Sequence, residues 1–204
     1  MTYDEIMDKL SLQKDYANKN YVPIIRPQSA KFLYGYVQSN NIKKVLEIGT
    51  AIGFSGSIML SAGVETLITI DINEKYQSLA KDTFVDCGFD SRVELICDDA
   101  KNILPKLVEK QEKFDMVFLD GAKGQYINYL PYLILLLKKD GVIFADNVLL
   151  SGMVESKEKI PHRKRTMVVN LRKYLERVNE NDFETELVRI EDGMAISKYK
   201  GERV

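Results

Sequence analysis

The sequence predicts an α/β fold: a mostly parallel, seven-stranded sheet with helices on both faces and an antiparallel hairpin at its C-terminal end. Three observations carry this prediction. Short apolar runs recur near residues 43–48, 66–71, 92–97, 114–120 and 140–146, and helix-length segments separate them. The last part of the chain then abandons the alternation for two strand-like runs, 184–190 and 194–199, around Asp192-Gly193. Parallel neighbours need a crossover, usually helical, and strands covered on both faces read as near-continuous apolar runs, so the alternation implies a covered parallel sheet. Asp-Gly between two strand-like runs is a hairpin signal, because both residues tolerate left-handed backbone.

Taken in chain order, a polar helix is expected over residues 4–17. The segment Tyr21-Val22-Pro23-Ile24-Ile25-Arg26-Pro27 should be extended, and a further helix should run to about Asn40. Each later strand is followed by a turn or cap signal and a helical segment, and a final helix is expected over 163–179 before the hairpin. With 204 residues, 45% hydrophobic content and no internal repeat, low-complexity tract or linker, the chain is read as a single domain over 1–204. No window approaches the roughly 18 consecutive apolar residues that argue for a membrane span. Met1-Thr2-Tyr3-Asp4-Glu5 is acidic where a signal peptide would be basic, so a cytoplasmic location without membrane attachment is expected. Cys87 and Cys97 lack metal or redox spacing and are expected to be buried free thiols in a helix and a strand. A single histidine, His162, excludes multi-histidine metal sites.

The first chemical signal is Val45-Leu46-Glu47-Ile48-Gly49-Thr50-Ala51-Ile52-Gly53-Phe54-Ser55, an apolar strand running into a glycine turn and a helix start. Glycines admit close backbone approach, and a helix N-terminus offers free N–H groups and positive potential, so a nucleotide-like ligand suits this turn. The spacing is G-x-x-x-G with Glu47 two residues ahead, unlike the G-x-G-x-x-G of dinucleotide folds. A second apolar run, Leu67-Ile68-Thr69-Ile70, ends in Asp71, where a carboxylate can accept both hydroxyls of a ribose.

The second signal lies at the ends of the fourth and fifth strands. Phe114–Leu119 ends in Asp120 and runs into Gly121-Ala122-Lys123, while Gly141–Ala145 ends in Asp146-Asn147. Ligands of open α/β sheets bind at the carboxyl ends of strands. Two carboxylates and an amide oxygen there form a hard donor set suited to Mg²⁺ or a similar divalent cation. Each acid taken singly reads better as a strand-end cap or turn residue; the combination of Asp120-x-x-Lys123 with Asp146-Asn147 reverses that and favours chemistry.

Together Glu47–Gly53, Leu119-Asp120-Gly121-Ala122-Lys123 and Ala145–Gly152 resemble the metal-dependent O-methyltransferases that include the catechol and caffeoyl-CoA enzymes. The likeness covers nearly the whole chain and implies a Rossmann-like class I methyltransferase fold, with residues 1–40 as a helical cap over the active site. It implies S-adenosylmethionine as cofactor, held by Ile25, Glu47, Gly49, Thr50, Ser55, Asp71 on the ribose, Asp99 and Ala100 about the adenine, and Asp120. It also implies Asp120, Asp146 and Asn147 as metal ligands, Lys123 as catalytic base, and a homodimer. Where the catechol enzyme has His-Trp after its first metal acid, this chain has Gly121-Ala122, which removes an aromatic wall.

Substrate identity must be sought outside those motifs. Lys157–Arg177 holds eight basic residues against two acids, a local charge of +6 in a chain whose net charge is −1. A helical wheel puts Met167, Val168, Leu171, Leu175 and Val178 on one face and Arg165, Arg172, Lys173 and Arg177 opposite. Such a face suits phosphates or merely solvent. Val22-Pro23-Ile24-Ile25, Glu47–Gly53, Asp146-Asn147-Val148-Leu149, Arg163-Lys164-Arg165-Thr166 and Asn170-Leu171-Arg172 together resemble the bacterial tRNA 5-hydroxyuridine methyltransferases. That resemblance implies the tRNA anticodon loop as partner, gripped by Arg163, Lys164, Arg165, Arg172 and Lys173. The alternatives are a small-molecule O-methyltransferase acting on catechols or hydroxylated natural products, and a nucleotide-binding module without catalysis.

Overall fold

The structure, a computed structural model, describes residues 1–201 and has the alternating α/β architecture the sequence predicts. It falls into two compact units, Met1–Asn102 and a second beginning at Ile103.

In the first unit, α1 (Tyr3–Lys9), α2 (Ser11–Asn20) and α3 (Pro27–Ser39) precede β1 (Lys44–Ile48), α4 (Phe54–Ala62), β2 (Thr66–Asp71), α5 (Glu74–Cys87) and β3 (Val93–Cys97). The strands lie in the order β3-β2-β1, all parallel, with Val45 opposite Leu67 and Leu67 opposite Val93. The single helix expected over 4–17 is two helices, because the chain bends at Leu10 (φ −86°, ψ 9°). The bend lies at a residue that is fully buried, like Ile6 before it. A reciprocal capping box between Thr2 and Glu5 starts α1, and Pro27 opens α3, where its missing N–H costs nothing.

Helix α4 is apolar or small on every side and buried throughout except Ser61, so it sits inside the layer rather than on it. Gly56 is required there: a Cβ would lie 2.8 Å from Leu67 and 3.1 Å from the Glu47 carboxylate.

Helix α6 (Ala100–Glu109) leads into the second unit, which contains β4 (Phe114–Leu119), α7 (Tyr126–Leu136), β5 (Leu137–Ala145), α8 (Arg165–Arg177), β6 (Phe183–Val188) and β7 (Met194–Tyr199). Its strand order is β4-β5-β7-β6: β4 and β5 are parallel, whereas β7 runs antiparallel to both β5 and β6. The predicted C-terminal hairpin is present. Strand β5 begins three residues before the expected position. Lys138-Lys139-Asp140-Gly141 reads as a turn, but Leu137 already pairs with Phe114 and the register shifts between Phe114 and Met116. Asp140 takes φ 64°, and a Cβ on Gly141 would press on three carbonyls at 3.1–3.2 Å, so an irregular β-pairing absorbs the turn-like residues.

Cys87 is buried as expected, but Cys97 is exposed: it ends β3, the edge strand of its unit, where no outer neighbour covers it. Among the described residues no helix is long and apolar enough to cross a membrane.

Candidate active site

Two constellations occupy the C-terminal ends of strands, one in each unit. In the first, the chain leaves β1 through Gly49 (φ 110°), Ala51 (φ 43°) and Gly53 (φ 78°) and enters α4. Gly49 N–H is secured to the Ile70 carbonyl at 2.9 Å. The Asp71 carboxylate accepts the Ala51 N–H and the Asn73 N–H, both at 2.9 Å, which couples the end of β2 to the glycine turn and aims the acid.

Beneath the turn lies a buried polar network. Glu47 accepts from Ser55 at 2.5 Å and from Thr69 at 2.6 Å; Thr69 in turn lies 2.6 Å from the Thr50 hydroxyl, to which Gln77 also donates. The sequence reading offered Glu47, Thr50 and Ser55 as cofactor ligands. Their side chains are buried and bond within this network, so what the geometry gives them is support of the turn from below. Glu47 as a buried acid is tolerable where donors satisfy it, and the Ser55 and Thr69 hydroxyls are two of them.

Asp99 accepts the Lys101 N–H at 3.0 Å and meets the Lys101 ammonium at 3.1 Å, which together hold its carboxyl below the usual range, while Ala100 is buried at the start of α6. Ile25 is buried beside a cavity of about 200 Å³ lined in part by Met7, Lys14, Arg26 and Phe54. Ile72 was not among the residues expected at this site. It follows Asp71 directly and is 69% exposed, an apolar surface beside an acid. An isoleucine immediately after a strand-ending acid was the available signal.

The second constellation gathers at the ends of β4 and β5. Lys123 Nζ lies 3.3 Å from Asp120 Oδ1, and both side chains are more than four-fifths shielded. Burial pushes the Asp120 carboxyl up and Lys123 pulls it down. Asp146 is 1% exposed; burial, then the nearby Asp120 charge, push its carboxyl to about 7. Its Oδ1 accepts the Asn147 N–H at 2.8 Å, but its buried Oδ2 has no hydrogen-bond partner. A buried carboxylate oxygen left without a donor is costly in the charged form unless a cation meets it. The donor set of two carboxylates and an amide therefore fits a hard divalent ion, although among the described residues no three His, Cys, Asp or Glu side chains are grouped so that they could hold a metal ion by themselves.

The supports of this second centre were not legible in the sequence. Tyr126, fully buried, donates to the Leu119 carbonyl at 3.0 Å and lies 3.5 Å from that of Asp146, tying the two strand ends together. After Asp146 the chain is held in left-handed backbone at Asn147 (φ 53°), Leu150 (φ 47°) and Ser151 (φ 54°). Such conformations in non-glycine residues cost energy and persist only where the surroundings impose them. The hairpin imposes them: Val148 and Leu149 donate to the Gly193 and Asp192 carbonyls at 3.0 Å, and Ser151 N–H donates to the Asp192 carboxylate. Asp192-Gly193 is thus a turn and a clamp, and a Cβ on Gly193 would strike Leu149 at 2.5 Å.

Of the residues proposed to grip RNA, Arg163, Lys164, Arg165 and Lys173 are exposed. Arg172 is not available. It is half-buried and donates to the carbonyls of Val154 (2.7 Å), Met153 (3.2 Å) and Ser156 (2.7 Å), so the helical wheel misplaced it. A wheel records direction around the helix and not the loop folded against it.

Sequence comparison gives this geometry a family. A catechol O-methyltransferase from Niastella koreensis is 34% identical over 133 residues, 64% of this chain and 60% of that protein. A caffeoyl-CoA O-methyltransferase from Eucalyptus globulus is 31% identical over 154 residues, 71% of this chain and 63% of that protein. The chain thus spans less than two thirds of the length of these curated relatives. Two solved structures share the fold: an O-methyltransferase from Bacillus cereus in complex with SAH (TM-score 0.83, 23% identity, 98% of this chain and 93% of that one), and TomG from Streptomyces achromogenes, involved in tomaymycin synthesis, in complex with SAM (TM-score 0.84, 24% identity, 95% and 91%). The O-methyltransferase family model matches residues 3–200, and the chain belongs to that family.

Proposed function

We propose that the chain transfers a methyl group from S-adenosylmethionine to a hydroxyl oxygen that has a second oxygen beside it. The observation that carries this reading is the cluster at the ends of β4 and β5: Lys123 against Asp120, and the partnerless buried oxygen of Asp146. Asp120, Asp146 and Asn147 would hold a divalent cation, which when bound orients the two acceptor oxygens and acidifies the attacking hydroxyl. Lys123, as the neutral amine, takes the proton from that hydroxyl while the sulfonium S–CH3 bond breaks and S-adenosylhomocysteine leaves as the neutral thioether. Gly49–Gly53 and Asp71 hold the donor nucleoside, with Asp71 on the ribose and Ile72 against the base. The sulfonium is already activated, so the work left to the protein is alignment and proton removal.

A small acceptor such as a catechol or a hydroxylated natural product is supported by the relatives, which include catechol and caffeoyl-CoA enzymes. A second reading, methylation of 5-hydroxyuridine at the tRNA wobble position, is supported by the exposed cations Arg163, Lys164, Arg165 and Lys173. The O4 and 5-hydroxyl of that base are adjacent oxygens, and an anticodon loop presents it unstacked. The protein with S-adenosylmethionine and Mg²⁺, offered catechol and tRNA carrying 5-hydroxyuridine in parallel, should yield a methylated product from one of them by mass spectrometry. No product from either rejects both acceptor assignments.

A further inference from the structure

Lys123 stands in a 3-10 turn, Lys123–Gln125, that has no side-chain cap; Gln125 N–H to the Ala122 carbonyl at 2.7 Å closes it locally. So short a turn does not set its own direction. Helix α8 reaches it from outside: the carboxamide of Asn170 donates to the Gly124 carbonyl at 2.7 Å, across 46 residues of sequence. The approach is close. A Cβ on Gly124 would stand 3.7 Å from the Met167 α-carbon. The same helix, through Arg172, binds three carbonyls of the loop Met153–Ser156, downstream of Asp146-Asn147.

We propose that Asn170 is a positioning residue for methyl transfer: its bond to Gly124 fixes the turn from which Lys123 reaches Asp120 and the acceptor hydroxyl. This rests on the reading of Lys123 as the base. A side chain carried by a turn that one long-range hydrogen bond ties to α8 is sensitive to the loss of that bond, because misalignment by about 1 Å can cost on the order of a hundredfold in rate. Donor binding should be unchanged, since the bonds that secure the glycine turn and aim Asp71 come from Ile70, Ala51 and Asn73.

The test is a double-mutant cycle on the full chain with S-adenosylmethionine, Mg²⁺ and whichever of catechol and 5-hydroxyuridine tRNA the wild type methylates. Asn170→Ala should lower kcat by about tenfold to a hundredfold with the donor KM unchanged, and Asn170→Gln, which keeps the donor group, should recover part of the loss. Asn170→Leu, similar in volume but without the donor, serves where Ala does not fold. The double variant Asn170→Ala/Lys123→Ala should be no slower than Lys123→Ala alone. Multiplied losses in the double variant overturn the inference, as does a wild-type rate for Asn170→Ala beside a slow Lys123→Ala. A wild-type rate for Lys123→Ala overturns the assignment of the base, and this inference with it.

Discussion

The guanidinium of Arg172 donates to the Val154 carbonyl at 2.7 Å, which converts the central cation of a basic helix into a brace for the loop beyond Asp146-Asn147. Arg172→Ala should therefore act on stability, by about 1–3 kcal/mol for charged hydrogen bonds lost in a half-buried place, and leave the salt dependence of RNA binding alone. Replacing Arg163, Lys164, Arg165 and Lys173 should do the reverse. Each lost phosphate contact flattens the slope of log affinity against log salt by about 0.7–0.9. Anisotropy titrations of tRNA from low to moderate salt compare the two variants; equal slopes in wild type and quadruple mutant remove the RNA reading.

Asp120→Ala or Asp146→Ala should abolish methyl transfer while donor binding largely survives, because the proposed hold on the donor is mainly the Gly49–Gly53 turn and Asp71, with Asp120 at most one of several contacts. Chelation with EDTA should mimic them. Full turnover after rigorous chelation, with metal content checked by mass spectrometry, would remove the divalent cation from the proposed chemistry.

Asp71 already accepts two backbone N–H groups, so its carboxylate is aimed before any ligand arrives. Its replacement by Ala should weaken the donor by roughly 1–3 kcal/mol, the worth of a charge-assisted hydrogen bond. Titration calorimetry with S-adenosylhomocysteine reads this directly. Unchanged affinity would mean that the ribose lies elsewhere.

The pH dependence follows from Asp146, whose carboxyl burial and the Asp120 charge push up to about 7. A group whose folded pKa lies above its unfolded value contributes stability that is full below the unfolded pKa and is lost as pH rises through the folded one. In EDTA-treated protein that contribution should fade between about pH 4, the unfolded carboxyl value, and pH 7. A divalent cation competes with the proton, so the gain in Tm on adding Mg²⁺ should grow across the same window and level off above it. A gain independent of pH would place the cation away from Asp146.

The sequence by itself determined the alternation of strands and helices, the hairpin, and the placing of Asp71, Asp120 and Asp146 at strand ends. Each of these is written in local periodicity and turn chemistry, which operate over a few neighbouring residues. It also yielded the glycine turn, because Gly49 and Gly53 are needed for their own backbone conformations. What only the tertiary structure decided is how those residues are held. That Glu47 is spent on Ser55 and Thr69, that Tyr126 ties Leu119 near Asp146, that Asp192 clamps Ser151 and that Arg172 braces Val154 are pairings across 7 to 41 residues of chain. No periodicity records them. A buried donor or acceptor takes whatever partner packing brings within about 3 Å, and that partner is chosen by the fold as a whole.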